Sequence, residues 1–315
     1  MTSPIRAGWR GLADVVKAPL MLIAVAIVMV IIALPFAAVL ESRLQASLSV
    51  QPQVSLDDTE IDPEWWMEFR AHARGLEATF TPAVLGFAAT LDGLSGVLDG
   101  RGLPLDIFAP FIITVVAWAF MWGGILHRFQ RGRGISVRAF FNAARAHVFS
   151  FIVIAAIAAA INLVLYVTVH RVLFGPVYRT LVAMTTTEQG AFVMRVLLYL
   201  AFFSLIAIVS LIADYARVAA VAGRASSPVT MIRTALDFIR RYPLAVIALY
   251  LMIGAVFVAV TIAYGTLEIY GGSQVGGWRA IAIGQAYVLF RLAIRLTFAA
   301  SELRLFNANQ AATAQ

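Results

Sequence analysis

The chain has 315 residues, of which 61% are hydrophobic and 13% charged, with a net charge of +7 and a mean hydropathy of +0.87. Soluble domains are about 45–50% apolar and about 25% charged, so this composition excludes a soluble enzyme, a secreted mini-domain and a disordered tail. The absence of cysteine also excludes disulfide scaffolds, thiolate metal sites and cysteine nucleophiles. What remains is an integral membrane protein, expected to be all-α.

In chain order, the first element is amphipathic: Arg10, Asp14 and Lys17 alternate with Leu12, Ala13 and Val16 at helical spacing. Pro19 to Leu40 follows, the first of six stretches able to cross a hydrocarbon core of about 30 Å, which takes ~20 helical residues. It is longer than the roughly 7–15 residue apolar core of a cleavable signal, so it reads as a retained anchor. Residues 41–107 are too long for a hairpin loop and should carry structure of their own, an extracytoplasmic helical insertion.

Within that insertion Asp57, Asp58, Glu60, Asp62 and Glu64 form an acidic run ahead of Trp65 and Trp66. Two stripes, Trp65–Phe69–His72–Leu76–Phe80 and Val84–Phe87–Leu91–Leu94–Leu98, predict amphipathic helices on the outer interface, with the tryptophans as anchors. Asp92, Asp99 and Asp106 recur at seven-residue intervals on the polar side of the second stripe. The acidic run lacks the glycine turn and fixed ligand spacing of a calcium loop, so a solvated face is the plainer reading and no metal is expected.

The second span, Phe108 to Leu126, leads into an acid-free segment holding Arg128, Arg131, Arg133, Arg138 and Arg145. Spans three and four are Val148 to Val169 and Val196 to Ala213, followed by Arg217, Arg224, Arg233, Arg240 and Arg241; spans five and six are Pro243 to Tyr264 and Ala280 to Ala300. Glu41 to Ile107 holds eleven of the seventeen acids against four arginines. Because Lys and Arg in short loops stay on the cytoplasmic side, both termini are expected in the cytoplasm of a bacterial inner membrane, with the acidic insertion outside. The basic charge then marks topology and attraction to an anionic inner leaflet, and nucleic acid is set aside.

Three segments share one pattern ahead of the ascending spans: Arg10-x3-Asp14-x2-Lys17, Arg138-x3-Asn142-x2-Arg145 and Arg233-x3-Asp237-x2-Arg240. Apolar residues fill the gaps (Leu12, Ala13, Val16; Phe140, Phe141, Ala144; Ala235, Leu236, Ile239). The pattern predicts cytoplasmic interfacial helices, apolar face on acyl chains and Arg10, Lys17, Arg138, Arg145, Arg233 and Arg240 on lipid phosphates. It also predicts three tandem hairpins as parallel repeats about the membrane normal.

The descending spans close on Gly123-Gly124-Ile125-Leu126, Asp214-Tyr215-Ala216-Arg217 and Ser301-Glu302. With the arginine-rich helices before each ascending span, this layout resembles six-span bacterial membrane proteins of uncharacterised function. More distantly it is similar to the membrane domain attached to some glycerophosphodiester phosphodiesterases. The resemblance covers most of the chain outside the first external loop, implies no catalytic residues, and does not extend to a phosphodiesterase domain.

Intramembrane charge is costly and marks a site by default. Arg291 lies roughly 16 Å into the sixth span, Arg295 about 22 Å and Glu302 about 33 Å, within about 40° of one another on the helical wheel. Asp214, ending the fourth span, is at a depth Arg295 could reach. Two readings stand: an Arg/Asp clamp that fixes helix packing, or a site for a substrate, an ion or a lipid head. Asn162 and Gln285 sit at matching depth and predict an interhelical hydrogen bond, contributing about 0.6 kcal/mol. Ala155, Ala156, Ala159 and Ala160 offer spacing for close helix approach.

Catalytic patterns are absent: His72, His127, His147 and His170 are scattered, and there is no HExxH, GxSxG, Walker A or Rossmann fingerprint. No cofactor is implied. The leading expectation is a non-catalytic membrane subunit or scaffold that binds a partner through residues 41–107 or the cytoplasmic helices. The alternatives are a transporter or permease component for an anionic or lipid-like solute and, behind it, a lipid-modifying enzyme using Asp214, Glu302 or the histidines.

Overall fold

A computed structural model describes residues 3–49, 63–73, 77, 96, 98–100, 105–132, 135–271 and 278–313; among them there is helix and no strand. The helices are α1 (Pro4–Val16), α2 (Pro19–Ser49), α3 (Pro63–His72), α4 (Leu105–Arg131), α5 (Val137–Ala183), α6 (Glu188–Val221), α7 (Pro228–Arg241), α8 (Pro243–Gly271) and α9 (Trp278–Thr313). Six of these, α2, α4, α5, α6, α8 and α9, are long and apolar enough to cross a membrane. The acidic run from Asp57 to Asp62, Leu76, Phe80, Asp92 and the second stripe up to Leu94 lie outside the described residues.

Helix starts are written in the sequence. The Ser3, Ser136, Thr187 and Ser227 side chains each accept a backbone N–H of the following turn, at Arg6, Ala139, Gly190 and Thr230. Pro4 and Pro228 occupy first-turn positions where the missing N–H costs nothing. Ser227 and Thr230 close a reciprocal capping box. Inside α5 there are π-helical turns at Leu165–His170 and Leu173–Val177, and the second contains Pro176, whose absent N–H favours a local change of register.

The core is gathered at the basic end of the bundle. Its buried side chains run from Trp118 to Phe129 on α4, Ala213 to Val221 on α6, Met231 to Phe238 on α7 and Leu292 to Phe306 on α9. Toward the other end, large apolar residues such as Ile27, Ile31 and Leu34 of α2 stand exposed, as lipid-facing helix surfaces do. There, α3 is pinned to the extension of α2: Trp65 and Phe69 are buried with Leu44, their rings stacked at 5.2 Å.

Two expectations about the amphipathic segments change. Residues 137–147 are the first turns of α5, which runs unbroken through 47 residues. The caps explain this, since Ser136 starts the helix and nothing stops it before the span. The apolar residues also divide, some packing on protein and others, such as Leu12, Val16 and Phe141, standing exposed. In α1, Ala7, Gly8, Gly11 and Val15 are buried while Ile5, Trp9, Leu12 and Val16 face outward. In α7, Met231, Ala235 and Phe238 are buried, with the Phe238 ring 5.1 Å from Tyr215 and 4.8 Å from Phe306. Packing against a neighbouring helix gives these faces denser contact than mobile acyl chains do.

Small residues set the approach distances. A Cβ on Gly11 would overlap Ser301 of α9, and one on Gly123 of α4 would lie 2.8 Å from the carbonyl oxygen of Ala143 in α5. Gly254 of α8 has open space around it. Gly11→Val and Gly123→Val should therefore lower the melting temperature of the detergent-purified protein, overpacking costing about 1–3 kcal/mol, while Gly254→Ala leaves it unchanged or raised.

Candidate functional site

The sixth span distributes its charges among different neighbours. Seven residues separate Arg295 from Glu302, roughly 10 Å of helix rise, so a shared face does not give a shared partner. The Arg295 guanidinium lies over the Trp118 ring of α4, 3.8 Å from its centroid, and 5.6 Å from that of Trp122. A planar guanidinium stacks on indole faces through charge and dispersion together, worth about 0.5–1 kcal/mol at a site as exposed as that of Arg295. Among the described residues no carboxylate or hydrogen-bond acceptor meets Arg295. Arg291, one turn toward the other end, lies 5.5 Å from the Tyr287 centroid.

Asp214 is paired by Arg217, its own neighbour on α6, and not by Arg295. Behind that pair, the Tyr250 hydroxyl of α8 donates to Glu302 Oε1 at 2.5 Å and approaches Asp214 Oδ2 at 3.3 Å. Glu302 is 2% exposed. One phenol thus ties α6, α8 and α9 together at the basic end. Arg304 donates to Asp14 Oδ2 at 2.8 Å and ties α9 to α1.

Beside Arg295 and Arg217 lies a cavity of about 280 Å³. Arg217 and Arg295 supply its cations; Trp118, Trp122, Phe151, Val115 and Phe111 supply apolar walls. Trp118, Trp122 and Phe151 are buried, Val115 and Ala155 half-buried, and Phe111 exposed, so the walls open progressively along α4 away from the arginines. Trp122 and Trp118 precede Arg128 by six and ten residues, which puts Arg295 roughly 9–15 Å inside the basic rim.

Other singled-out residues fall elsewhere. Gln285 is exposed and Asn162 Oδ1 is buried without a partner, and no hydrogen bond joins them. Arg10, Lys17, Arg138, Arg145, Arg233 and Arg240 are all exposed at the basic end. At the opposite end the His170 ring nitrogen meets the Leu98 carbonyl at 2.8 Å and the Tyr199 hydroxyl donates to Asp99, which anchors the end of the insertion on α5 and α6. Among the described residues no three His, Asp or Glu side chains gather as a metal would require. Sequence reasoning missed Trp118, Trp122 and Tyr250. The tryptophans are four apart on one face, a usable signal, whereas nothing local distinguishes Tyr250. No family model, curated protein or solved structure matches this chain.

Removing the Tyr250 hydroxyl leaves the Glu302 carboxyl buried without a donor, which costs about 1–3 kcal/mol; removing both partners costs less. Tyr250→Phe should lower the melting temperature, and Tyr250→Phe with Glu302→Leu should recover part of the loss, a non-additivity that a double-mutant melting series reads directly.

Proposed function

We propose that this chain is a multi-pass protein of a bacterial inner membrane that binds its ligand without transforming it: a non-catalytic membrane subunit, or a permease component, for an anionic or lipid-like solute. One observation carries the reading. Arg295 sits on a cavity wall in a helix of membrane-spanning length, stacked on tryptophan and without a described carboxylate partner, an arrangement that leaves its five N–H groups for an anion. Arg217 adds a second cation at the same cavity.

The architecture we propose for it is three tandem hairpins about the membrane normal, in keeping with the resemblance to six-span bacterial proteins. Recurrent packing supports it: each Arg-patterned segment leans on the descending span before it, cyclically. Gly11 meets Ser301, Ala143 and Ala144 meet Gly123, and Phe238 meets Tyr215. The six exposed basic residues of these segments are proposed to contact anionic headgroups at the cytoplasmic interface.

A second reading, a subunit that holds a protein partner through residues 41–107, is favoured by α3, since its docking on α2 gives the insertion an ordered foothold.

The cysteine-free sequence gives a direct test of orientation. Thr186→Cys should react with a membrane-impermeant maleimide in intact spheroplasts, and Ser226→Cys only after permeabilisation; the reverse pattern would invert the topology. Gentle extraction followed by mass spectrometry separates the two functions. A bound anion or anionic lipid that disappears in Arg295→Gln supports the solute reading, and a stoichiometric protein lost on deleting residues 63–72 supports the partner reading.

A further inference from the structure

We infer that the cavity between α4, α5, α6 and α9 is built for an anionic amphiphile, its head between Arg295 and Arg217 and its chain running along α4 past Val115 and Phe111 into the bilayer. This deepens the solute reading and rests on it.

The argument is one of polarity along a single axis. At one end two guanidiniums face the same space, and the fork of N–H groups on each matches the oxygens of a phosphate or sulfate better than a point charge would. Arg217 uses Nη1 on Asp214, which leaves its other donors to the cavity. Its side chain is 18% exposed, so it is held in place by the pair and still reachable. At the other end the walls are Val115, Ala155 and Phe111, and the Thr114 hydroxyl is already committed to the Pro110 carbonyl at 2.8 Å. That arm therefore offers a solute no free hydroxyl proton, only apolar contact.

The distance from Trp122 to Phe111 is eleven residues, roughly 16 Å of helix. Buried walls at Trp118 and Trp122 give way to the exposed Phe111, so the apolar arm opens on the side where lipid chains lie. Enclosed ligand pockets run to about 300–1,000 Å³, and the present volume of about 280 Å³ takes a head and the first part of a chain, with the remainder in the hydrocarbon. A small hydrophilic anion would fill only the arginine end and leave the apolar arm without a purpose.

The test uses the full chain in neutral lipid nanodiscs and three probes: dodecyl phosphate, inorganic phosphate and dodecyl trimethylammonium. Dodecyl phosphate should bind about tenfold or more tightly than inorganic phosphate, because chain burial adds to the head contacts, and the cationic probe should not bind. Arg295→Gln should weaken both phosphates. Ala155→Trp, which fills the apolar arm, should remove the advantage of dodecyl phosphate over inorganic phosphate. A dodecyl phosphate carrying a diazirine on its chain should label the peptide containing Phe111 to Val115 in the unmutated protein, a readout that survives if Ala155→Trp fails to fold. Equal affinity for the two phosphates, or chain labelling elsewhere, overturns the amphiphile while leaving an anion site in place. Binding of neither phosphate overturns this inference and the solute reading together.

Discussion

A guanidinium on a membrane-length helix, roughly 9–15 Å along it from the basic rim and exposed on the side of the bundle, has to be met by something, because the isolated charge in hydrocarbon costs several kcal/mol even after local relaxation. Here the faces of Trp118 and Trp122 meet Arg295. That choice constrains much else. The two tryptophans have to sit one turn apart on α4, α9 has to present Arg295 across from them, and α4 has to be held at a fixed height. Gly123 and Gly124 provide the height, since they let α5 approach until Ala143, Ala144 and Phe140 are in contact with α4. A stacked cation differs from a salt-bridged one in an important respect. The ring holds the guanidinium by its plane and leaves the N–H edge free, so the charge is located without being neutralised.

The neighbouring charges follow the opposite logic. Asp214 is matched by Arg217, Glu302 is held by Tyr250, and Asp14 is matched by Arg304, each contact joining positions within or between helices at the basic end. These groups close the bundle where the core is densest. Arg217 belongs to both systems, since it is fixed by Asp214 and lines the cavity beside Arg295. An anion in the cavity would therefore be felt by Asp214 through a shared guanidinium, and by Tyr250 through Asp214.

Much of the fold was legible in the sequence for plain physical reasons. Crossing a bilayer requires long apolar helices, so the six stretches announced themselves. Helix ends were harder. The expected first span stops at Leu40 while α2 continues to Ser49, because polarity ends a membrane span without ending a helix. The same ambiguity hid the continuity of residues 137–147 with α5. Depth along a helix could be counted, so Arg291, Arg295 and Glu302 were singled out as polar groups on one face of the sixth span. Their partners could not be read, because they come from other helices at sequence distances no periodicity reaches: Trp118 for Arg295 and Tyr250 for Glu302.

The amphipathic segments show why a hydrophobic stripe underdetermines its partner. A stripe states that one face avoids water, and both an acyl layer and a second helix satisfy that demand. What decides between them is the size of the residues on the stripe together with the surface opposite. Gly8 and Gly11 on α1 present too little surface to anchor in lipid but allow a backbone to approach closely, and they face α8 and α9; Ile5, Trp9, Leu12 and Val16 on the adjoining edge are large and remain outside. In α7 the large Phe238 goes inward because Tyr215 and Phe306 form an aromatic seat for it. Small residues against the spans and large ones on the adjoining edge let α1 brace the bundle while its Ile5, Trp9, Leu12, Val16, Arg10 and Lys17 stay exposed.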